Sequence, residues 1–89
     1  MGVRLGSNPR AKALAGELLE CWWNGRFGID HRHDLWLKRF GETWCVESRH
    51  GGQGGLRSRD YFSDERIARG RLASLKSEHG DTWKWVPFG

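Results

Sequence analysis

The sequence predicts a single small domain of the α+β class, with the element order α-β-β-β-α-β and an antiparallel sheet that carries its helices on one face. Three observations favour this class: an apolar stripe with helical spacing before residue 25, alternating apolar residues over 34–62, and a second helical stripe after residue 63. A chain of 89 residues suffices for one modest core. We therefore expect one domain over residues 8–89, preceded by a flexible leader at 1–7.

The first helix is expected over residues 9–24. Asn8 suits an N-cap, and Pro9 suits the first helical position, where its missing N–H needs no partner. Gly25 is the expected end of the helix. With helical spacing the apolar side chains fall on one stripe, which consists of Ala11, Leu14, Ala15, Leu18, Leu19, Cys21 and Trp22.

A hairpin is expected over residues 34–40 and 43–49, because Gly41-Glu42 between them suits a two-residue type II′ turn. This turn pairs Leu37 with Val46 on one face of the sheet. The opposite face then carries Trp36, Lys38, Phe40, Cys45 and Glu47. Both faces carry large aromatic residues, so the pattern leaves open which face is buried.

A third strand is expected over 56–62, after the glycine-rich residues 51–55, and it places Arg57, Arg59 and Tyr61 on one side. Ser63 is the expected N-cap of a helix that ends near His79. A last short strand is expected over 82–86.

Composition narrows the possible partners. The chain has 15 Lys and Arg against 11 Asp and Glu, a net charge of +4, and most of its cations are arginine. This balance is typical of a protein that binds a polyanion such as nucleic acid, and also of an ordinary solvated surface. We expect cytoplasmic localisation, because two cysteines make no disulfide framework, and no membrane association, because no apolar run reaches about 20 residues. The oligomeric state stays open.

The sequence indicates neither an enzyme nor a cofactor, because no nucleophile, base and orienting acid form a recognisable arrangement. Two thiols and two imidazoles have the chemistry of zinc ligands: Cys21, His31, His33 and Cys45. Zinc ligands usually occur as close pairs, whereas these cysteines are far apart in the chain, so we expect no metal site.

The strongest functional signal is a mixture of cations and aromatic rings on the predicted sheet. Rings stack on unpaired bases, and neighbouring arginines neutralise phosphates. The sequence therefore predicts a small non-catalytic nucleic-acid-binding module. Its candidate residues are Arg57, Arg59, Tyr61, Lys38, Trp36 and Phe40, with Arg66, Arg69 and Lys76 on the basic face of the second helix.

The alternative is a protein-binding inhibitor or adaptor of the kind that phages and plasmids encode, anti-CRISPR proteins being one example. Such a protein would bind an acidic surface of a nucleic-acid-handling complex. Its motivation is the small size of the chain and its content of tryptophan and arginine, residues that anchor protein interfaces.

The order of elements over residues 35–86 resembles the WGR family, small sheet-and-helix modules found beside poly(ADP-ribose) polymerase domains and in bacterial proteins. The similar features are the hairpin, the glycine-rich residues 51–55, the aromatic end of a strand at Tyr61-Phe62, a helix, and the closing residues 80–83. The defining Trp-Gly-Arg triplet is missing, since Arg49-His50-Gly51 stands in its place. The resemblance implies DNA-contacting or interdomain docking roles and no catalysis.

Overall fold

A computed structural model describes residues 16–79 and 82–87 of the chain. In these ranges one antiparallel sheet packs against one helix. The sheet has the strand order β4-β3-β2-β1-β5. The elements are β1 (Glu17–Trp23), β2 (His33–Phe40), β3 (Thr43–His50), β4 (Leu56–Phe62), α1 (Glu65–His79) and β5 (Lys84–Trp85).

The domain is α+β-like, but the predicted element order is wrong. The described residues have the order β-β-β-β-α-β, with a single helix, because residues 17–23 form a strand where the sequence predicted a helix over 9–24. The remainder of that predicted helix, over 9–15, and the predicted leader at 1–7 lie outside the described residues.

Strand β1 resembles a helix in sequence because it carries apolar side chains on both of its faces. Cys21 pairs with Trp36 and Trp22 with Leu35, so the two neighbouring side chains point to opposite sides of the sheet. An irregularity between Leu18 and Glu20 interrupts the pairing and hides the two-residue period further. Pairing with β2 on one side and β5 on the other stabilises the strand.

The predicted register of the hairpin is confirmed. Leu37 pairs with Val46 and Leu35 with Ser48. Leu35, Leu37 and Val46 are buried together with apolar residues of α1, and they form the core. Trp36 and Phe40 therefore lie on the face opposite α1, where both are half-buried.

Helix α1 ends at His79, as predicted, but its N-cap is Asp64 and not Ser63. The Asp64 Oδ1 atom accepts hydrogen bonds from the backbone N–H groups of Arg66 at 2.8 Å and Ile67 at 3.4 Å. These bonds satisfy donors that the first turn of a helix leaves unpaired.

The last strand is shorter than predicted: it consists of Lys84–Trp85, which pair with β1. Trp85 meets the ring of Trp22 edge to face at 5.3 Å, whereas Nε1 of Trp83 donates to the carbonyl oxygen of Lys76 at 3.0 Å. Over the ranges 16–79 and 82–87, the structure contains no helix with the length and hydrophobicity needed to cross a bilayer.

Candidate nucleic-acid interface

The face of the sheet opposite α1, here called the open face, collects every strand residue of the predicted site. Antiparallel pairing aligns Arg59, Glu47 and Trp36 in one row across β4, β3 and β2, and Tyr61 lies in the next row beside Cys45 and Lys38. Because side chains alternate along each strand, these residues point to the same side. Among the described elements, none covers this face.

Three cations surround the carboxylate of Glu47, which is only 1% exposed. Lys38 Nζ donates to Oε1 at 2.9 Å and Arg57 Nη1 donates to Oε2 at 3.0 Å, while Arg59 Nε lies 3.3 Å from Oε1. Both arginine side chains are about half exposed. We call Lys38, Arg57, Arg59 and Tyr61 with Glu47 the Glu47 cluster.

The pKa of Glu47 reflects two opposing effects. Burial by itself raises the pKa of the carboxyl, but the hydrogen bonds and charges of Lys38 and Arg59 outweigh burial and hold its pKa below the ordinary value. The carboxylate is therefore ionised at neutral pH. It orients the cations and neutralises part of their charge.

A second buried carboxylate lies nearby on the open face. Asp34 is 3% exposed. Its carboxylate accepts hydrogen bonds from Nε and Nη2 of Arg32, each at 3.0 Å, and from Nη2 of Arg49 at 3.2 Å. The guanidinium of Arg32 also lies 5.2 Å from the ring centroid of Trp23, and Phe27 meets that ring at 5.0 Å. We call Arg32, Arg49, Trp23 and Phe27 with Asp34 the Asp34 cluster.

The loop that carries Arg32 is held by backbone and side-chain hydrogen bonds. The Asn24 side chain is buried, donates from Nδ2 to the carbonyl oxygen of His31 at 2.7 Å, and accepts at Oδ1 from the His33 backbone at 3.0 Å. The backbone N–H of Gly51 donates to the carbonyl oxygen of Arg32 at 2.9 Å. The glycine-rich connection between β3 and β4 thereby helps to position the Asp34 cluster.

The aromatic residues of the open face differ in how accessible they are. Trp36 is half-buried, with the Arg49 guanidinium 5.0 Å and the Lys38 ammonium 5.9 Å from its ring centroid. Tyr61 is 59% exposed and lies 6.5 Å from the ring of Phe40. Of these rings, Tyr61 offers the largest free surface for stacking.

The open face does not include the three helix residues of the predicted site: Arg66, Arg69 and Lys76. Helix α1 covers the opposite side of the sheet. There Arg69 pairs with Glu65 at 2.8 Å and also with Glu20, and the ammonium of Lys76 lies 3.3 Å from the ring centroid of Trp22. The predicted residues therefore form two separate surfaces.

The structure does not bring the four candidate zinc ligands together. Cys21 and Cys45 lie on the open face on strands that are not neighbours, His33 lies on the other face beside His50 and Trp83, and His31 is in the loop after β1. Within the described ranges, no group of three or more His, Cys, Asp or Glu residues is placed to hold a metal ion. Burial raises the pKa of both thiols.

The site predicted from the sequence does not include the Asp34 cluster. The hairpin register contained a usable signal. It places Arg49 directly opposite Asp34, on the face that also carries Trp36. The contribution of Phe27 had no sequence signal, since its contact with Trp23 depends on the course of a loop.

A small apolar cavity of about 140 Å³ lies between β1 and β5. Leu18, Cys21 and Trp85 are among the residues that line it. Sites for small organic ligands typically measure about 300–1,000 Å³. The cavity is therefore a weaker candidate for a functional site than the charged open face.

Comparison with protein-family models, with curated proteins and with solved structures finds no match to this chain. The resemblance to the WGR family stays a prediction. Functional interpretation consequently depends on the charges and rings of the open face.

Proposed function

We propose that this chain is a small, non-catalytic nucleic-acid-binding module that uses the open face of its sheet. The observation that carries the proposal is the Glu47 cluster, in which half-exposed Arg57 and Arg59 point to the same face of β4 as exposed Tyr61. Arginine forks match the oxygen atoms of phosphates, and an exposed ring provides a surface for a base.

The cations of the open face outnumber its carboxylates. Its ion pairs join five cationic side chains to the two carboxylates of Asp34 and Glu47, which leaves three positive charges in excess. A guanidinium has five N–H donors, so an arginine held by Glu47 retains donors for a phosphate. The internal ion pairs orient the arginines before a ligand arrives, and this lowers the entropy cost of binding.

The test is fluorescence anisotropy with labelled DNA and RNA oligonucleotides at two salt concentrations. Replacing both Arg57 and Arg59 with Ala should weaken binding by about tenfold or more and reduce the slope of log K against log salt by about 1.4 for a single strand. The matched control removes the same charge from the other side of the molecule, through Arg66→Ala with Arg69→Ala. The control should retain most of the affinity, because neither residue lies on the open face.

Equal losses in the two double variants would indicate a general charge effect and contradict a site on the open face. Absence of binding by the unmodified protein at low salt would reject the function itself. Circular dichroism of each variant establishes that the fold is retained.

One observation favours the second candidate, a protein-binding inhibitor or adaptor. Ile29 and Leu56 are 80% and 83% exposed, and both lie at the end of the sheet where Gly51 approaches the Ile29 backbone. Aliphatic side chains neither pair with phosphates nor stack on bases, whereas they do pack against other proteins. Affinity capture with the unmodified protein and with Ile29→Ser plus Leu56→Ser tests this candidate. A partner recovered by the first and lost by the second, without nucleic acid, would favour it.

A further inference from the structure

The Glu47 cluster and the Asp34 cluster are neighbours on the open face, and each contains an exposed ring that lies toward an opposite corner of the sheet. Tyr61 is 59% exposed, and Phe27, which packs against Trp23, is 72% exposed. In each cluster an arginine accompanies a ring: Arg59 is the next residue on the same face of β4 as Tyr61, and the guanidinium of Arg32 lies over Trp23. The face therefore offers the same combination of ring and cation twice.

Strand geometry gives the separation between the rings of the two clusters. Tyr61 on β4 aligns with Lys38 on β2, and Trp23 on β1 aligns with Asp34 on β2. Tyr61 and Trp23, against which Phe27 packs, are therefore three strands apart across the sheet and four residues apart along it. With strand spacings of about 4.8 Å and a rise of about 3.4 Å per residue, the diagonal measures about 20 Å.

Trp36 connects the two clusters along this diagonal. Its ring has Lys38 of the Glu47 cluster within 5.9 Å and Arg49 of the Asp34 cluster within 5.0 Å. Positively charged side chains therefore lie along the diagonal from Tyr61 to Trp23. A polyanion that follows the diagonal meets positive charge along its whole length.

We propose that the open face binds one single strand of nucleic acid along this diagonal, with a base stacked at Tyr61, a second base stacked at Phe27, and the phosphates between them over the arginines. The inference rests on the proposed function and deepens it by naming the form of nucleic acid and the second contact. A strand with the helical spacing of about 3.4 Å per nucleotide spans the diagonal with about six nucleotides, and an extended strand needs fewer.

A single strand fits this face better than a duplex because of the exposed rings. Bases in a duplex are already stacked on each other, so a duplex would use the cations and leave Tyr61 and Phe27 without partners. Unpaired bases gain stacking on each ring, whatever their sequence. The inference consequently predicts weak dependence on sequence and strong dependence on strand length.

The test measures anisotropy of labelled oligothymidylates of about three and about ten nucleotides, and of a duplex of about ten base pairs. Tyr61→Ala and Phe27→Ala should each weaken binding of the longer strand at least about fivefold, and each should weaken binding of the shorter strand less, because a short strand contacts one ring at a time. Ile29→Ala is the matched control, because Ile29 is an exposed apolar residue of the same loop that cannot stack. The control should bind both strands like the unmodified protein.

Two outcomes would overturn the inference and leave the proposed function intact: duplex binding as tight as that of the longer strand, or full affinity of Phe27→Ala for the longer strand. If the unmodified protein binds none of the three probes, the proposed function fails as well. The results for the probes thus separate the two failures.

Discussion

The buried carboxylate of Glu47 accepts a hydrogen bond of 3.0 Å from Nη1 of Arg57 on the neighbouring strand. The bond connects the inside of the protein to its surface, because Glu47 is 1% exposed while the Arg57 side chain is about half exposed. Glu47 therefore contributes to stability and also controls how much positive charge the open face presents.

Replacing Glu47 with Ala should lower the free energy of unfolding by about 2 kcal/mol. The change leaves three cations without their shared carboxylate, although the half-exposed arginines regain water and so limit the loss. Urea denaturation measures the effect. Glu42→Ala, at an exposed carboxylate in the adjoining turn, is the control, and an equally small change in both variants would contradict the structural role of Glu47.

The stabilising effect of Glu47 should depend on pH. Burial raises its pKa, but Lys38 and Arg59 lower the pKa further than burial raises it, so the folded value lies below the ordinary value of 4.5. Its stability contribution is therefore fully present above pH 4.5 and lost as pH falls through the folded pKa. The stability difference between the unmodified protein and Glu47→Gln should shrink as pH is lowered through this range. A difference that stays constant would contradict the assignment.

The N-cap of α1 can be tested by comparing the stability of variants at Asp64 and at its neighbour Ser63. Asp64→Ala should destabilise the protein by about 1 kcal/mol, because it removes the acceptor for the N–H groups of Arg66 and Ile67. Ser63→Ala should change stability by less than about 0.5 kcal/mol. Thermal or urea unfolding of the two variants checks this, and the reverse order would assign the cap to Ser63.

Two glycine substitutions should have opposite effects on stability. A Cβ at Gly55 would lie 2.1 Å from the backbone oxygen of His50, so Gly55→Ala requires the backbone to move and should cost about 2 kcal/mol or more. A Cβ at Gly70 in α1 meets nothing within 4 Å, and Gly70→Ala should stabilise the helix by about 0.5–1 kcal/mol. Denaturant midpoints measure both changes. A stable Gly55→Ala variant would contradict the close approach.

The two thiols should react slowly in the folded protein. Burial is the main cause that raises the pKa of Cys21 and of Cys45, so both thiols are protonated at neutral pH and shielded from reagents. Reaction with a disulfide reagent, followed by absorbance, should be much faster in denaturant than in buffer. Rapid modification of either residue in the folded protein would show that the open face opens readily.

Part of the candidate site could be predicted from sequence because it depends on local geometry. The two-residue turn at Gly41-Glu42 fixes the pairing of β2 with β3, so the shared face of Trp36, Lys38 and Glu47 follows without any knowledge of the remaining chain. The role of Glu47 as a common partner of Lys38, Arg57 and Arg59 did not follow, because it requires β4 to pair with β3 in a particular register.

The sequence by itself determined the hairpin register and the end of α1 at His79, because turn chemistry and side-chain periodicity act over a few residues. Only the tertiary structure decided that residues 17–23 form a strand, since their apolar residues suit either a helical stripe or a strand with two contacted faces. It also decided which face of the hairpin α1 covers and which carboxylates the arginines meet. Those outcomes depend on contacts between segments that are distant in the chain, and their energies exceed the local preferences.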